Sequence, residues 1–421
     1  MTAEVAILNS DAVALAADSA ATLSGAGSSK IVSSVSKIFP LSDMRPVGVM
    51  VYGGASLDSV PWESLFKQYR DCLGDAAFDA LEAYCDDFLA FLRKRCDILF
   101  PEEAQSVYVE MVLDWLLSDV RDGIDSTVAA ALESRSAVSA PEIAEIVDSV
   151  ISAVNDRIMA GRPARDLPVG FAAEVRKRYG SVTGEAIARA MGAHSLNPGL
   201  RERLEELVVT YFAMIPDPDT GSPFLAGVVF AGFGEGEAFP RVREYHFDGV
   251  VGGHIRYCGA QSIDIDAAAT QVALVPFAQK EMVSLFMEGV DPRYHEVMLQ
   301  LISNLLGGYP DALLAGLPDL PAPMRNAIAE RGDHAREAAM ATLSEMLEGV
   351  RDKLYTDPVV SVLRLLPKQE LAAVAEALVN LQSFKRRVSW DQETVGGPVD
   401  VAIISKADGF SWVKRKTARP G

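Results

Sequence analysis

TAEVAILNSDAVALAADS, residues 2–19, reads as a strand, a turn and a second strand. Residues 3–9 have strand character and Ser10-Asp11 supplies the turn. Residues 12–18 form a nearly continuous apolar run that ends on an acid. Unbroken apolarity predicts a strand covered on both faces rather than one washed by solvent. Chain ends usually fray. Here the core is expected to begin at the first residues, with no leader ahead of it and no basic-then-apolar signal layout.

Working outward, LSGAGSSK (23–30) reads as a small-residue loop. VSSVSKIFPLS (32–42) is predicted as a third strand and PVGVMVYGG (46–54) as a fourth, ending on a glycine pair. Asp58 or Ser59 is then expected to cap a helix with Pro61 in its first turn, where proline's missing N–H is harmless. Leu65, Tyr69 and Leu73 continue it at helical spacing, as do Phe78, Leu81, Tyr84, Phe88 and Leu92. Residues 107–117 and most of 124–207 also read as helical. Strands return at 224–234, 241–249 and 254–259, with a shorter one near 268–275. Helices follow from about 277 to 387, interrupted by a loop at 307–323. PVDVAIISK (398–406) and GFSWVKRK (409–416) close the chain as a hairpin turning at Ala407-Asp408-Gly409. This order does not alternate strand and helix, which disfavours a doubly wound parallel sheet. It predicts an α+β fold of two stacked antiparallel sheets whose outer faces are covered by helices.

The chain has 421 residues, 49% hydrophobic and 23% charged, with a net charge of −19. Such a surface repels phosphate backbones and anionic lipid, so neither nucleic acid nor membrane is expected as a partner. No apolar run approaches the roughly 20 residues that span a bilayer, and a cytoplasmic location is expected. Cys72, Cys85, Cys96 and Cys258 form no CxxC pair. Buried reduced thiols are expected, with no metal and no cofactor. The glycines of GFGEGEAF (232–239) precede Pro240 and another strand, so they read as a hairpin turn and not as a phosphate cradle. DPDTG (217–221) reads as a turn. His194, His246, His254, His295 and His334 are scattered, and no GxSxG surrounds a serine. The basic run KRKTARP (414–420) reads as a solvated tail.

Thr2 carries the chemistry that a strand-first terminus invites. With Met1 removed, its hydroxyl and its α-amine sit on one residue. A free α-amine has a pKa of about 7.7–8.0 and serves as a general base near neutrality. Hairpin geometry brings Asp18 beside the start of the first strand, and a carboxylate after six apolar residues needs a partner. Lys37, in SVSKIF, supplies one and places a positive charge near Thr2, which favours the neutral amine. Lys30 is a rival, though it lies in the Gly/Ser loop. Gly53 ends an apolar strand and can present its N–H to an oxyanion.

These residues resemble the mature start of proteasome β-type subunits and their bacterial HslV relatives, the threonine-type N-terminal-nucleophile (Ntn) hydrolases. TAEVAILNSDAVALAADSAAT matches their Thr-first strand, turn and A-A-D-S segment. VSKIFPL resembles the lysine-bearing strand, GVMVYGGAS the glycine-bearing strand, and VGGPVDVAIISKADGFSW the closing Gly-Gly, strand, hairpin and strand. The resemblance covers about residues 2–60 and 390–416. It implies a four-layer αββα sandwich in one domain, 1–421, with core strands at about 2–56, 224–275 and 396–416 and large helical insertions at about 75–210 and 290–350. It implies Thr2 as nucleophile, Asp18 paired with Lys37, and Gly53 as oxyanion donor. It places Val35 and Val51 around the pocket for the residue preceding the cleaved bond, so cleavage after apolar residues is expected. The acid-plus-serine support of the amine is replaced by DQETVGG, where Val395 stands in the serine position and Asp391 or Glu393 offers the acid. The implied function is a peptidase acting on peptides or unfolded protein, self-assembled into a ring, with an ATP-driven unfoldase as a further partner. An Ntn amidase acting on a small molecule, or a non-catalytic proteasome-like subunit, are the alternatives.

Overall fold

The computed structural model describes residues 3–25, 28–32, 35–134, 137–192, 196–218, 222–317, 320–389 and 396–416. It is an α+β protein built on two five-stranded antiparallel sheets. In chain order the core strands are β1 (Ala3–Asn9), β2 (Ala12–Ala17), β3 (Ile38–Pro40), β4 (Val47–Gly53), β5 (Ala226–Gly232), β6 (Arg241–Val251), β7 (His254–Asp264), β8 (Val272–Ala278), β9 (Asp400–Ser405) and β10 (Gly409–Lys414). The first sheet runs β8-β1-β2-β9-β10 and the second β7-β6-β5-β4-β3, with neighbours antiparallel throughout. The helices are α1 (Trp62–Leu73), α2 (Leu81–Lys94), α3 (Cys96–Leu99), α4 (Glu102–Ser134), α5 (Ala140–Met159), α6 (Phe171–Ala190), α7 (Pro198–Ala213), α8 (Glu281–Glu288), α9 (Pro292–Ala315), α10 (Ala322–Arg351), α11 (Asp357–Leu363) and α12 (Lys368–Val388).

Every residue of β1 and β2 is buried, as the unbroken apolarity of β2 requires, and β1 takes Glu4 and Asn9 into the interior with it. Ala6, Leu8, Val13 and Leu15 share one apolar cluster with Met50, Val229 and Val242 of the second sheet. The opposite face, Val5, Ile7 and the small Ala12, Ala14 and Ala16, packs against Leu371, Ala375 and Val379 of α12. Alanine on both sides lets helix and sheet approach closely. The far face of the second sheet carries Val47, Val49, Phe230 and Phe247 against Trp62, Phe66, Tyr69 and Phe88 of α1 and α2. At the β1–β2 turn, Asn9 Oδ1 accepts from Asp11 N (3.0 Å) and Ala12 N (3.2 Å), an Asx turn. Its Nδ2 donates to Leu363 O (3.3 Å) and Leu366 O (2.9 Å), tying the hairpin to the end of α11.

Helices α4–α7 have their own cluster, which reaches the second sheet through Val251. Arg256 of β7 binds them to that sheet. It is fully buried. Its guanidinium donates to Phe212 O (2.9 Å), Tyr211 O (2.7 Å) and Met214 O (2.6 Å) at the end of α7, and to Tyr108 Oη (2.6 Å) of α4. The counter-charge is Asp248 Oδ2 at 2.9 Å.

Several elements differ from the sequence reading. The third strand is only Ile38–Pro40. Residues 35–37 instead cross from one sheet to the other, Val35 N donating to Ser19 O (3.1 Å) and Lys37 O accepting from Val51 N (2.9 Å). The predicted loop after β2 contains a ribbon, Ala21–Gly25 against Ser28–Val32, which places Lys30 in a strand arm. Neither Asp58 nor Ser59 caps α1: Pro61 precedes it with no side-chain cap, and Asp58 is committed elsewhere. The 307–323 loop is shorter than expected, because α9 continues through Gly307, Gly308 and Pro310 to Ala315. Pro310 is tolerated where Gly332 of α10 lies directly against its ring. Cys72 is exposed rather than buried, although the other three thiols are buried as expected. The closing run is not simply solvated: Arg415 stacks on Trp412 (4.9 Å), and Lys416 is mostly buried.

Candidate functional site

Asp18 follows the last residue of β2, and hairpin pairing sets it opposite the start of β1. Asp18 N donates to Ala3 O (3.1 Å), and Ala3 N donates back to Asp18 Oδ1 (3.2 Å). The carboxylate is buried, and its second oxygen accepts from Ala20 N (3.3 Å) and Gly396 N (2.9 Å). Gly396 belongs to the Gly-Gly before β9, so this one side chain joins the two ends of the chain. Lys37 Nζ lies 2.5 Å from Asp18 Oδ1, with the lysine side chain 5% exposed. A buried ion pair is costly to assemble and costly to break; the three N–H groups on Asp18 offset its desolvation. The crossing segment 35–37 delivers Lys37 to it.

Thr2 lies outside the described residues, as do Asp391, Glu393 and Val395. Lys37 and Gly53 line one cavity of about 710 Å³, with Val35, Val51, Phe224 and Asp58. That volume suits a side chain or a small ligand. Gly53 has φ +77°, and a Cβ there would meet Leu225 O at 2.4 Å, so only glycine fits.

Sequence reading missed several groups around this site. Glu4, two strand positions from Ala6, is fully buried, and neither carboxyl oxygen has a hydrogen-bond partner among the described residues. Burial drives its pKa well up, against the pull of Lys37, with Asp18 adding to the rise. The signal was present, since an acid interrupts an otherwise apolar strand. Lys416 Nζ sits 3.5 Å from Asp400 Oδ2 and 3.5 Å from Ser19 Oγ. Burial lowers its pKa, with Asp400 opposing and the nearby Lys37 adding to the fall. Asp58, at φ +48°, accepts from Val250 N (3.1 Å) on Oδ1 and leaves Oδ2 buried and without a hydrogen-bond partner among the described residues. Burial lifts its pKa to about 7, although the Val250 N–H and Arg256 pull downward.

A second cavity of about 430 Å³ shares Tyr52 with the first. There Tyr52 Oη donates to Glu244 Oε1 and meets His246 Nε2 at 2.9 Å. Glu244 and His246 alternate along β6, so period two puts them on one face. Among the described residues, no three His, Cys, Asp or Glu side chains converge to hold a metal ion, and no helix is long and apolar enough to cross a membrane.

The Asp58 environment makes a measurable prediction. Its folded pKa is raised, so the fold is favoured below the ordinary carboxylate value of 3.8 and loses stability as pH rises towards 7. Asp58→Asn removes that slope and tolerates φ +48°. Urea melts are expected to show the variant gaining on the parent from pH 4 to a plateau above pH 7, by roughly 2–4 kcal/mol. Glu4→Gln should move the same way, because its carboxyl is raised by the same cause. A difference independent of pH would contradict both assignments.

No protein-family model matches the chain, and no curated protein matches it in sequence.

Proposed function

We propose that the chain is a threonine-type Ntn peptidase of the proteasome β/HslV kind, its two sheets and flanking helices forming the four-layer αββα sandwich of that class. The observation that supports this most is the buried Asp18–Lys37 pair bonded to the first strand's opening amide. Ala3 N, which donates to Asp18, is the peptide nitrogen covalently joined to Thr2. In this reading the Thr2 hydroxyl attacks a peptide carbonyl while the α-amine of Thr2 takes its proton. The Lys37 ammonium keeps that amine neutral, and the Gly53 N–H stabilises the oxyanion. The amine then protonates the departing nitrogen, leaving an ester on Thr2, and water attacks the ester to release the acid. The Val35 and Val51 walls favour an apolar residue before the cleaved bond. A ring assembly that encloses the sites, a cytoplasmic setting and an ATP-driven unfoldase complete the proposal.

Intact mass of the untagged protein is the first test, followed by peptide hydrolysis by Thr2→Ala. The expected mass is lighter by one methionine, and the variant is expected to lose at least about 10³-fold in turnover. Retained Met1, or a Thr2→Ala enzyme of near-parental rate, would overturn the proposal. Hydrolysis of small acyl amides with no turnover of peptides would keep the nucleophile and replace the substrate class.

A further inference from the structure

The α9–α10 hairpin stands apart from both sheets: neither of its helices, 24 and 30 residues long, has a buried residue. The pair is held together where Gly307 meets Arg336 and Pro310 meets Gly332. Its base is tied down by Thr356 Oγ1 donating to Met287 O (3.1 Å) and by Arg351 against Glu288 (3.6 Å).

Helix α9 has three distinct sides. His295, Leu299 and Pro310 are half-buried, and Pro310 packs against Gly332 of α10. Arg293, Glu296, Gln300, Asn304 and Asp311 fall on one flank. Tyr294, Met298, Leu301, Leu305, Tyr309 and Leu313 fall on the other, at spacings of three and four, and all are exposed. Leu305 is 76% exposed and Tyr309 65%. An apolar stripe this long on a soluble surface marks an interface.

Three features choose its occupant. First, residues 297–310 carry no charged side chain, so two copies can meet there although each chain has a net charge of −19. Second, residues 292–351 contain no lysine and five arginines against eight acids, the wrong balance for an anionic lipid surface. Third, the stripe is self-complementary when run antiparallel to itself. Leu301 then meets Leu305, Met298 meets Tyr309, and Tyr294 meets Leu313, as a two-fold interface demands. The six side chains, 37–76% exposed, offer roughly 600–700 Å² per copy, close to the ~800 Å² that a standard interface takes from each partner.

We propose that this hairpin docks on the same hairpin of a second copy, giving an intermolecular four-helix bundle with α9 against α9. The contact is independent of the Thr2 chemistry, so its test reads mass and not activity.

Sedimentation velocity of the full chain from 0.1 to 50 µM is compared with Leu301→Glu/Leu305→Glu. Both positions are more than half exposed, and circular dichroism verifies the fold. The expected result is at least a halving of the assembled mass in the variant. In a Cys72→Ser background, Leu301→Cys/Leu305→Cys is expected to form a covalent dimer on mild oxidation, whereas Tyr294→Cys alone is not. Equal masses for parent and variant, or a monomeric parent at 50 µM, would overturn the proposal. Flotation with phosphatidylserine vesicles that is lost in the glutamate variant would overturn it in favour of a lipid occupant.

Discussion

Lys37→Met is expected to lose about 10²–10⁴-fold in peptide turnover and 3–5 kcal/mol of stability. The two losses have different origins. The stability loss follows from removing one member of a buried pair at 2.5 Å, which strands the Asp18 charge on three N–H donors. The turnover loss follows from the proposed role: without the ammonium, the Thr2 amine gains proton affinity and ceases to be a neutral base at pH 7. A pH profile separates them. In the residual activity, the acidic limb should move to higher pH by about one unit or more, at temperatures where the variant is fully folded. A variant whose melting falls but whose rate and profile match the parent would make Lys37 purely structural.

Arg256→Met is likewise expected to cost about 3–5 kcal/mol of stability, because it leaves the fully buried Asp248 without its cation. Among the described residues Asp248 Oδ1 already lacks a hydrogen-bond partner, so Oδ2 and its charge would keep only Tyr211 Oη at 2.9 Å there. Five further acceptors lose a donor: the carbonyls of Tyr211, Phe212, Met214 and Asp248 and the hydroxyl of Tyr108. The damage concentrates where α4 and α7 join the second sheet. Urea unfolding with Arg256→Met/Asp248→Leu as companion tests the cause. The double variant should recover part of the loss, because it removes the orphaned charge. No recovery would assign the cost to the lost carbonyl contacts alone.

How far the site could be read depends on where each residue's partner lies. Asp18 is marked by its own strand, since six apolar residues cannot end on a free carboxylate, and a two-residue turn fixes which residue it faces. Lys37 stood out as a charge in a strand-like run, nineteen residues further on. The observed pair joins those two, although the segment carrying Lys37 is a crossing rather than the expected strand. Asp58 offered a capping residue at the right spacing, yet its carboxyl binds Val250, 192 positions away. Glu244 and His246 share a face by simple alternation, but nothing local says that Tyr52 would close over them. Gly307, Gly308 and Pro310 spell a loop, and α10 overrules them by packing Arg336 against Gly307 and Gly332 against Pro310.

The sequence by itself determined the α+β class, the opening and closing hairpins and the alternation of strand and helix blocks. It also marked the residues whose chemistry conflicts with their neighbours. Those features follow from periods of two and 3.6 and from turn chemistry, which act over a few residues. Apart from Asp18 and Lys37, tertiary structure alone decided which buried charges are paired. Arg256 meets Asp248 within the second sheet, Lys416 meets Asp400, and Glu4 meets no hydrogen-bond partner among the described residues. The physical reason is that desolvation and Coulomb energies depend on distances between elements, and no local pattern encodes those distances before the sheets have packed.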